Sequence, residues 1–208
     1  MLQTTNLSFS YLNSASFDFP DIELKNNEHL LILGASGIGK TTLLHLLAGI
    51  LTPNKGVITI NNEVITNLNP KKLDTYRGAN IGLILQNTSA IASLSVYENL
   101  EARLFFSKIS NKEKVVDTIL EQLDLTLVKK QKPNTLSTGQ LQRLGIALGV
   151  IHRPKIILAD EPTSSLDDKN CALVINLLKA QAKIANANLI IITHDQRIKN
   201  SFDNTLVL

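Results

Sequence analysis

The sequence predicts an α/β fold built on a mainly parallel core sheet, and three observations carry that prediction. An apolar run, HLLIL at 29–33, leads directly into a glycine-rich loop and a helical pattern, KTTLLHLLAGIL, the order that opens an α/β unit. The last third returns to strand, helix, strand: KIILA, a helix through CALVINLLKAQAKIA, then LIIIT. These strands are apolar throughout instead of alternating, as strands covered on both faces are.

Taken in order, LQTTNLSF and FDFPDIEL read as strands ahead of HLLIL, and VITI and EVIT follow a Pro53–Gly56 turn. The first third of the chain therefore reads as strands, expected to make an N-terminal antiparallel β subdomain. The middle of the chain is helical. Ser95-Val96-Tyr97-Glu98 has the S-x-x-E spacing of a capping box ahead of ENLEARLFFSK. In NKEKVVDTILEQLDL, the residues Val115, Val116, Ile119, Leu120 and Leu123 make one 3.6-residue stripe. A Pro133-Asn134 loop leads to LSTGQ and the helix LQRLGIALGVI, which Pro154 stops. Residues 87–153 therefore read as an inserted helical subdomain, and 1–86 with 154–208 as the core, all within one domain spanning 1–208. Neither internal repeats nor low-complexity tracts are visible.

A chain of 208 residues suffices for one well-cored domain with a subdomain. The net charge of +3 is mildly basic and does not require a nucleic-acid partner. The Lys129, Lys130 and Lys132 cluster reads as a solvated loop. A single cysteine, Cys171, cannot form an internal disulfide; it fits a reducing compartment and a small packed helical position. The opening MLQTTNLSFSY alternates like a strand and does not resemble a secretory leader. Apolar runs such as LIII at 189–192 are too short to span a bilayer, so a membrane role needs another chain.

The chemistry concentrates at two places. Gly34-Ala35-Ser36-Gly37-Ile38-Gly39-Lys40-Thr41 fits G-x-x-x-x-G-K-[ST] between a strand and a helix. Glycines let backbone N–H groups approach phosphate, and the helix N-terminus adds positive potential. Lys40 is expected to reach the β- and γ-phosphates, and the Thr41 hydroxyl to ligate Mg²⁺. Asp160 and Glu161 end the apolar strand IILA, at the sheet edge beside that loop. Asp160 is expected to hold Mg²⁺ through water, and Glu161 to polarise an attacking water. His194 follows LIIIT at the same kind of edge and is expected to contact the γ-phosphate. His29, His45 and His152 have no such context and read as structural.

LSTGQLQR at 136–143 reads locally as a helix start, because Ser137 and Gln140 have capping-box spacing. With the other motifs it carries a resemblance over nearly the whole chain to the ATP-binding subunits of ABC transporters. The motifs are GASGIGKTT as the phosphate loop, Gln86 in IGLILQ as the lobe-connecting glutamine, and LSTGQ as the signature. IILADEP, SSLD at 164–167 and His194 in IIITHD supply the catalytic strand, dimer loop and switch histidine. The resemblance implies the P-loop NTPase fold of ABC type, with a RecA-like core, and ATP and Mg²⁺ as cofactors. It implies that Tyr11 stacks on adenine, that residues 34–41 and Thr42 bind ATP, and that Gln86 joins Thr41 and Asp160 at the metal. It also implies that Ser137, Thr138, Gly139, Gln140 and Asp167 bind the ATP held by a second subunit. Three residues depart from the usual pattern: Thr138 in the signature, Leu148 in its helix and Ala92 after the glutamine.

The expected function is an ATPase motor that dimerises around two Mg·ATP and drives separate integral-membrane permease subunits. Lys40, Glu161, His194 and Gln86 carry the chemistry and its coupling, and the chain sits in the cytoplasm on the inner face of the cell membrane. KKLDTYRGANIGLILQNTSA resembles the lipoprotein-release, macrolide-export and cell-division branch. The alternatives are a soluble ATPase of the same type acting on DNA or ribosomes, and a nucleotide-gated mechanical module at a membrane. The first usually carries coiled-coil insertions or two motor domains, and neither is seen here.

Overall fold

The computed structural model describes residues 1–208 apart from 13–15, 106–108, 110 and 165. Among them, strands β1 (Leu2–Ser10), β2 (Ser16–Asp18), β3 (Glu23–Leu24), β5 (Lys55–Ile60) and β6 (Glu63–Val64) make an antiparallel sheet. Strands β4 (His29–Leu33), β7 (Ile81–Ile84), β8 (Ile156–Asp160), β9 (Asn188–Thr193) and β10 (Asn204–Val207) make a parallel sheet, in the order β10-β4-β9-β8-β7. The predicted division into two kinds of β structure is therefore present.

Why the core strands are apolar throughout is visible in their packing. Leu30 and Ile32 of β4, with Ile190 and Ile192 of β9, face a cluster shared with helix α1 (Lys40–Leu47) and the antiparallel sheet. Leu31, Leu33, Leu189 and Ile191 face the opposite cluster, built with helices α3 (Val96–Phe105), α4 (Lys112–Gln122), α5 (Thr138–Val150) and α6 (Asp168–Ala185). Successive side chains alternate between two buried faces, so Leu30–Leu33 and Asn188–Thr193 are all buried.

Several elements differ from the sequence reading. FDFPDIEL is two short strands, β2 and β3, because Pro20 has no N–H to pair and breaks the run. EVIT pairs only over β6 and turns into a 3₁₀ helix at Ile65–Asn67. Helix α1 stops at Leu47, short of KTTLLHLLAGIL, because Gly49 at φ 65° turns the chain out of the helix. Helix α2 (Pro70–Asn80) has no predicted counterpart: none of its residues is buried, so no apolar stripe marks it. Its readable signal is terminal, with Asn69 capping the Lys72 N–H at 2.9 Å and Pro70 at the first turn. The Ser95 box forms, with both reciprocal bonds present at 2.7 and 3.2 Å. The end of the predicted ENLEARLFFSK helix lies outside the described residues beyond Phe105.

The helical segment is fastened to the core by close backbone contact. A Cβ on Gly82 would lie 2.2 Å from the Gly149 carbonyl oxygen, and one on Gly149 would lie 2.5 Å from Ile84 Cγ1. Glycine on both sides lets α5 touch β7. A second tie is buried: His152 Nε2 lies 3.0 Å from Arg103 Nη2 on α3 and 3.1 Å from the Ile81 carbonyl on β7. Burial, and then the Arg103 charge, push the His152 pKa down to about 4, against the Ile81 hydrogen bond. The ring is thus neutral at pH 7 and structural, as its sequence context predicts.

Gly82→Ala is expected to destabilise the protein by about 1–3 kcal/mol through overpacking. Gly78→Ala, in α2 with open space where its Cβ would stand, should instead stabilise by roughly 0.5–1 kcal/mol. Urea midpoints of the two variants should move in opposite directions. His152 also sets a pH dependence. Its folded pKa is below the unfolded value, so the unfolded chain binds the extra proton; the stabilisation is complete above about pH 6.5 and is lost as pH falls toward 4. Denaturant midpoints at pH 7.5 and 5 should fall more for the native chain than for His152→Asn.

Candidate functional site

The loop between β4 and α1 is shaped for an anion. Gly37 and Gly39 have φ of 84° and 103°, and a Cβ on Gly39 would lie 2.7 Å from the Phe17 ring. Gly39 is the N-cap of α1 and offers no side-chain acceptor, so the first N–H groups of the helix are left to a ligand. Lys40 is buried, and its Nζ donates to the carbonyls of Gly34 (2.8 Å) and Ala35 (2.9 Å). It also stands 3.9 Å from Glu161 Oε1.

The parallel register delivers the acidic residues to the same edge. Asp160 is the last residue of β8, and its Oδ2 accepts from Thr41 Oγ1 at 3.2 Å. Burial raises the Asp160 pKa; the Thr41 bond opposes this, and the Glu161 charge adds to it. Glu161 turns out of the strand at φ 48°. Its Oε2 accepts from Thr193 Oγ1 (2.7 Å), and its Oε1 accepts the His194 backbone N–H (3.1 Å) and lies 2.9 Å from His194 Nδ1. Gln86, just past β7, donates from Nε2 to Ser164 Oγ at 3.3 Å.

Lys40, Thr41, Gln86, Asp160, Glu161 and His194 line one cavity of about 750 Å³, together with Tyr11, Phe17, Ser36 and Thr42. Tyr11 Oη is 3.2 Å from Thr42 Oγ1, and its ring meets Phe9 edge-on at 4.9 Å. Gly34 and Ile38 belong to the loop but do not line the cavity; Ile38 Cγ2 stands 3.0 Å from where a Gly34 Cβ would be. Asp160 and Thr41 offer hard oxygen donors, and no cluster of three or more His, Cys, Asp or Glu among the described residues could hold a metal alone. That donor set suits Mg²⁺, which keeps much of its water and takes phosphate oxygens for the remainder.

Most of the signature lies elsewhere, although Thr138 also lines a cavity shared with Gln86 and Glu161. Ser137 caps α5, its Oγ accepting the Gln140 N–H (3.3 Å) while Gln140 Oε1 accepts the Ser137 N–H (2.9 Å). Thr138, Gly139 and Asp167 line a separate depression of about 590 Å³. Asp167 caps α6 through the Asn170 N–H at 2.8 Å. Ser165 of the SSLD loop lies outside the described residues. Phe17, Thr163, Thr193, Asp195 and Arg197 are site neighbours that sequence reasoning missed. THD in IIITHDQR was the available signal for Thr193 and Asp195, since both flank the histidine.

A glycine loop on a helix N-terminus, a buried lysine and a Thr–Asp pair at the carboxyl edge of a parallel sheet define a P-loop nucleoside triphosphatase. A family model described as ABC transporter matches residues 18–164, and the chain belongs to that family. It is an ATP-binding, ATP-hydrolysing subunit of the transporter type. The lipoprotein-releasing system ATP-binding protein LolD of Legionella pneumophila (strain Lens) is 37% identical over 191 residues, covering 90% of this chain and 84% of that one. The bacitracin export ATP-binding protein BceA of Halalkalibacterium halodurans is 35% identical over 201 residues, covering 94% and 79%. An ATP-binding cassette solved as a dimer in a post-hydrolysis state with ADP and Pi has a TM-score of 0.88 and 29% identity, over 100% of this chain and 94% of that one.

Proposed function

We propose that the chain is a motor subunit that pairs with a second copy around two Mg·ATP and drives a separate integral-membrane partner from the inner face of the cell membrane. One observation carries the pairing: a Cβ on Gly139 would meet nothing within 4 Å. The chain itself gives no steric reason for glycine there. The residue stands near the N-terminus of α5, beside Asp167 and away from the phosphate cavity. A bare backbone at a helix start suits the close approach of an anion supplied by another molecule. The solved cassette with ADP and Pi is a dimer, which supports the same reading.

In this reading the phosphate loop and Lys40 hold the β- and γ-phosphates, and Tyr11 stacks on adenine with Phe17 beside it. Thr41 and Asp160, with Gln86 close by, would hold Mg²⁺, which when bound would supply neutralisation of phosphate charge. Glu161 accepts the proton of the attacking water, and His194 steadies the γ-phosphate while its Nδ1 faces the Glu161 carboxylate. The partner's Ser137, Thr138, Gly139, Gln140 and Asp167 close the site. Gln86 leads from β7 into the helical lobe and transmits nucleotide state to the membrane subunits. No helix among the described residues is long and apolar enough to cross a membrane, so the translocation path is assigned to the partner. The branch we favour is lipoprotein release, macrolide export and cell division, on the KKLDTYRGANIGLILQNTSA stretch and the LolD likeness.

Lys40→Ala removes a charge-assisted contact worth about 1.5–3 kcal/mol, so ATP affinity should fall by about 10- to 100-fold in an equilibrium titration. Unchanged affinity and turnover would remove Lys40 from the phosphate site. Glu161→Gln keeps the shape but removes the base, and it lifts a like charge from the γ-phosphate. Hydrolysis should slow by at least about 100-fold, and the variant should collect as a nucleotide-bound dimer in size-exclusion with light scattering. Adding Ser137→Arg should return it to monomers, because a long side chain then blocks the signature. Dimers in both variants would take LSTGQ out of the interface and leave it a helix cap.

A further inference from the structure

We propose that Arg197 is a positioning residue for ATP hydrolysis, a strap that ties the loop after Glu161 to the segment after His194. The inference rests on the proposed roles of Glu161 and His194 and adds a residue that those roles do not include.

The side chain uses its whole fork. Nε donates to Asp195 Oδ1 at 2.9 Å and Nη2 to Asp195 Oδ2 at 2.8 Å, a bidentate pair. The other arm, Nη1, donates to the Leu166 carbonyl at 3.1 Å and to Asp168 Oδ1 at 2.7 Å. One guanidinium therefore bridges the loop on the far side of Glu161 and the residue that follows His194.

Asp195 is the buried end of the strap, with 8% of its side chain exposed. Besides Arg197, its Oδ2 accepts from Thr163 Oγ1 at 2.9 Å, and its backbone N–H donates to Thr193 Oγ1 at 3.0 Å. Thr193 Oγ1 is the same atom that donates to Glu161 Oε2. The contacts run without a gap from Arg197 through Asp195 and Thr193 to the Glu161 carboxylate, and through Thr163 back to the loop that Glu161 begins. Glu161 needs this restraint, because a non-glycine residue at φ 48° holds only where its surroundings fix it. Lysine in place of arginine keeps the charge but has no planar fork, so it cannot hold Asp195 and Leu166 together.

A strap of this kind acts on the chemical step and leaves the phosphate loop alone, which separates it from a purely structural ion pair. ATP turnover and equilibrium ATP binding are measured on the full chain for Arg197→Ala, Arg197→Lys, Glu161→Gln and the Arg197→Ala/Glu161→Gln pair, with a thermal melt for each. The expected result is a fall in kcat of about 10-fold or more for Arg197→Ala. Arg197→Lys should fall in between, and ATP affinity should stay within about twofold in both. In the Glu161→Gln background, Arg197→Ala should lower the residual rate little further, because the group it positions is gone. Arg197→Lys carries the test if Arg197→Ala does not fold. Unchanged kcat in Arg197→Lys and in any folded Arg197→Ala would overturn the proposal. So would an equal loss of ATP binding and kcat, or the same fold-loss on the Glu161→Gln background. If Glu161→Gln alone keeps full turnover, the underlying role of Glu161 has failed, and that outcome is read separately from the Arg197 series.

Discussion

The Glu161 backbone N–H donates to the Ile192 carbonyl at 2.9 Å, extending the β8–β9 pairing one residue beyond Asp160. Much of the site hangs from that bond. It keeps Asp160 in the strand, where it meets Thr41, and it starts the turn that swings Glu161 toward Thr193 and His194. A parallel ladder is suited to this task. Its strands run the same way, so their carboxyl ends gather at one edge, and residues distant in sequence arrive at the same height. Lys40, Asp160, Glu161 and His194 come from three separate segments and meet there because β4, β8 and β9 are neighbours.

The supporting core explains why so precise an edge can be held. Each central strand buries both faces, one against α1 and the antiparallel sheet, the other against α3 to α6. Interiors packed this densely resist displacement, so the strand ends are fixed and the mobile chemistry is left to loops. The two faces also divide the labour: one side carries the phosphate-loop helix and the other the helical lobe.

Much of this was legible in the sequence, and the reason differs by element. Unbroken apolar runs announced β4, β8 and β9, because a twice-buried strand cannot hide its composition. The glycine loop before α1 was legible because its motif fixes residue types at set spacing. The capping boxes at Ser95 and Ser137 were legible because they are local chemistry. Helix α2 was not, since none of its residues is fully buried and only its cap declares it. The edge strand β10 was not either: its residues are mostly exposed and it borrows its order from β4. Within the site, Phe17 falls inside a run that reads as an ordinary strand, and Arg197 belongs to no motif. Their contacts join segments far apart in the chain, to Gly39 in one case and to Leu166 and Asp168 in the other, and no local pattern records such pairings.

The glycine contact between Gly82 and Gly149 has a mechanical meaning. Helix α5 is pressed against β7 at its C-terminal end, while Gly139 sits ten residues away near its exposed N-terminal end. At 1.5 Å per residue that arm is about 15 Å long, so a tilt of roughly 10° about the glycine fulcrum carries the Gly139 backbone by about 2.6 Å. In the proposed pairing the helix would act as a lever whose short side is locked to the sheet. A displacement of that size is close to the length of one hydrogen bond, so in the proposed dimer it would suffice to make or break a contact at the tip while the core beneath the fulcrum stays still.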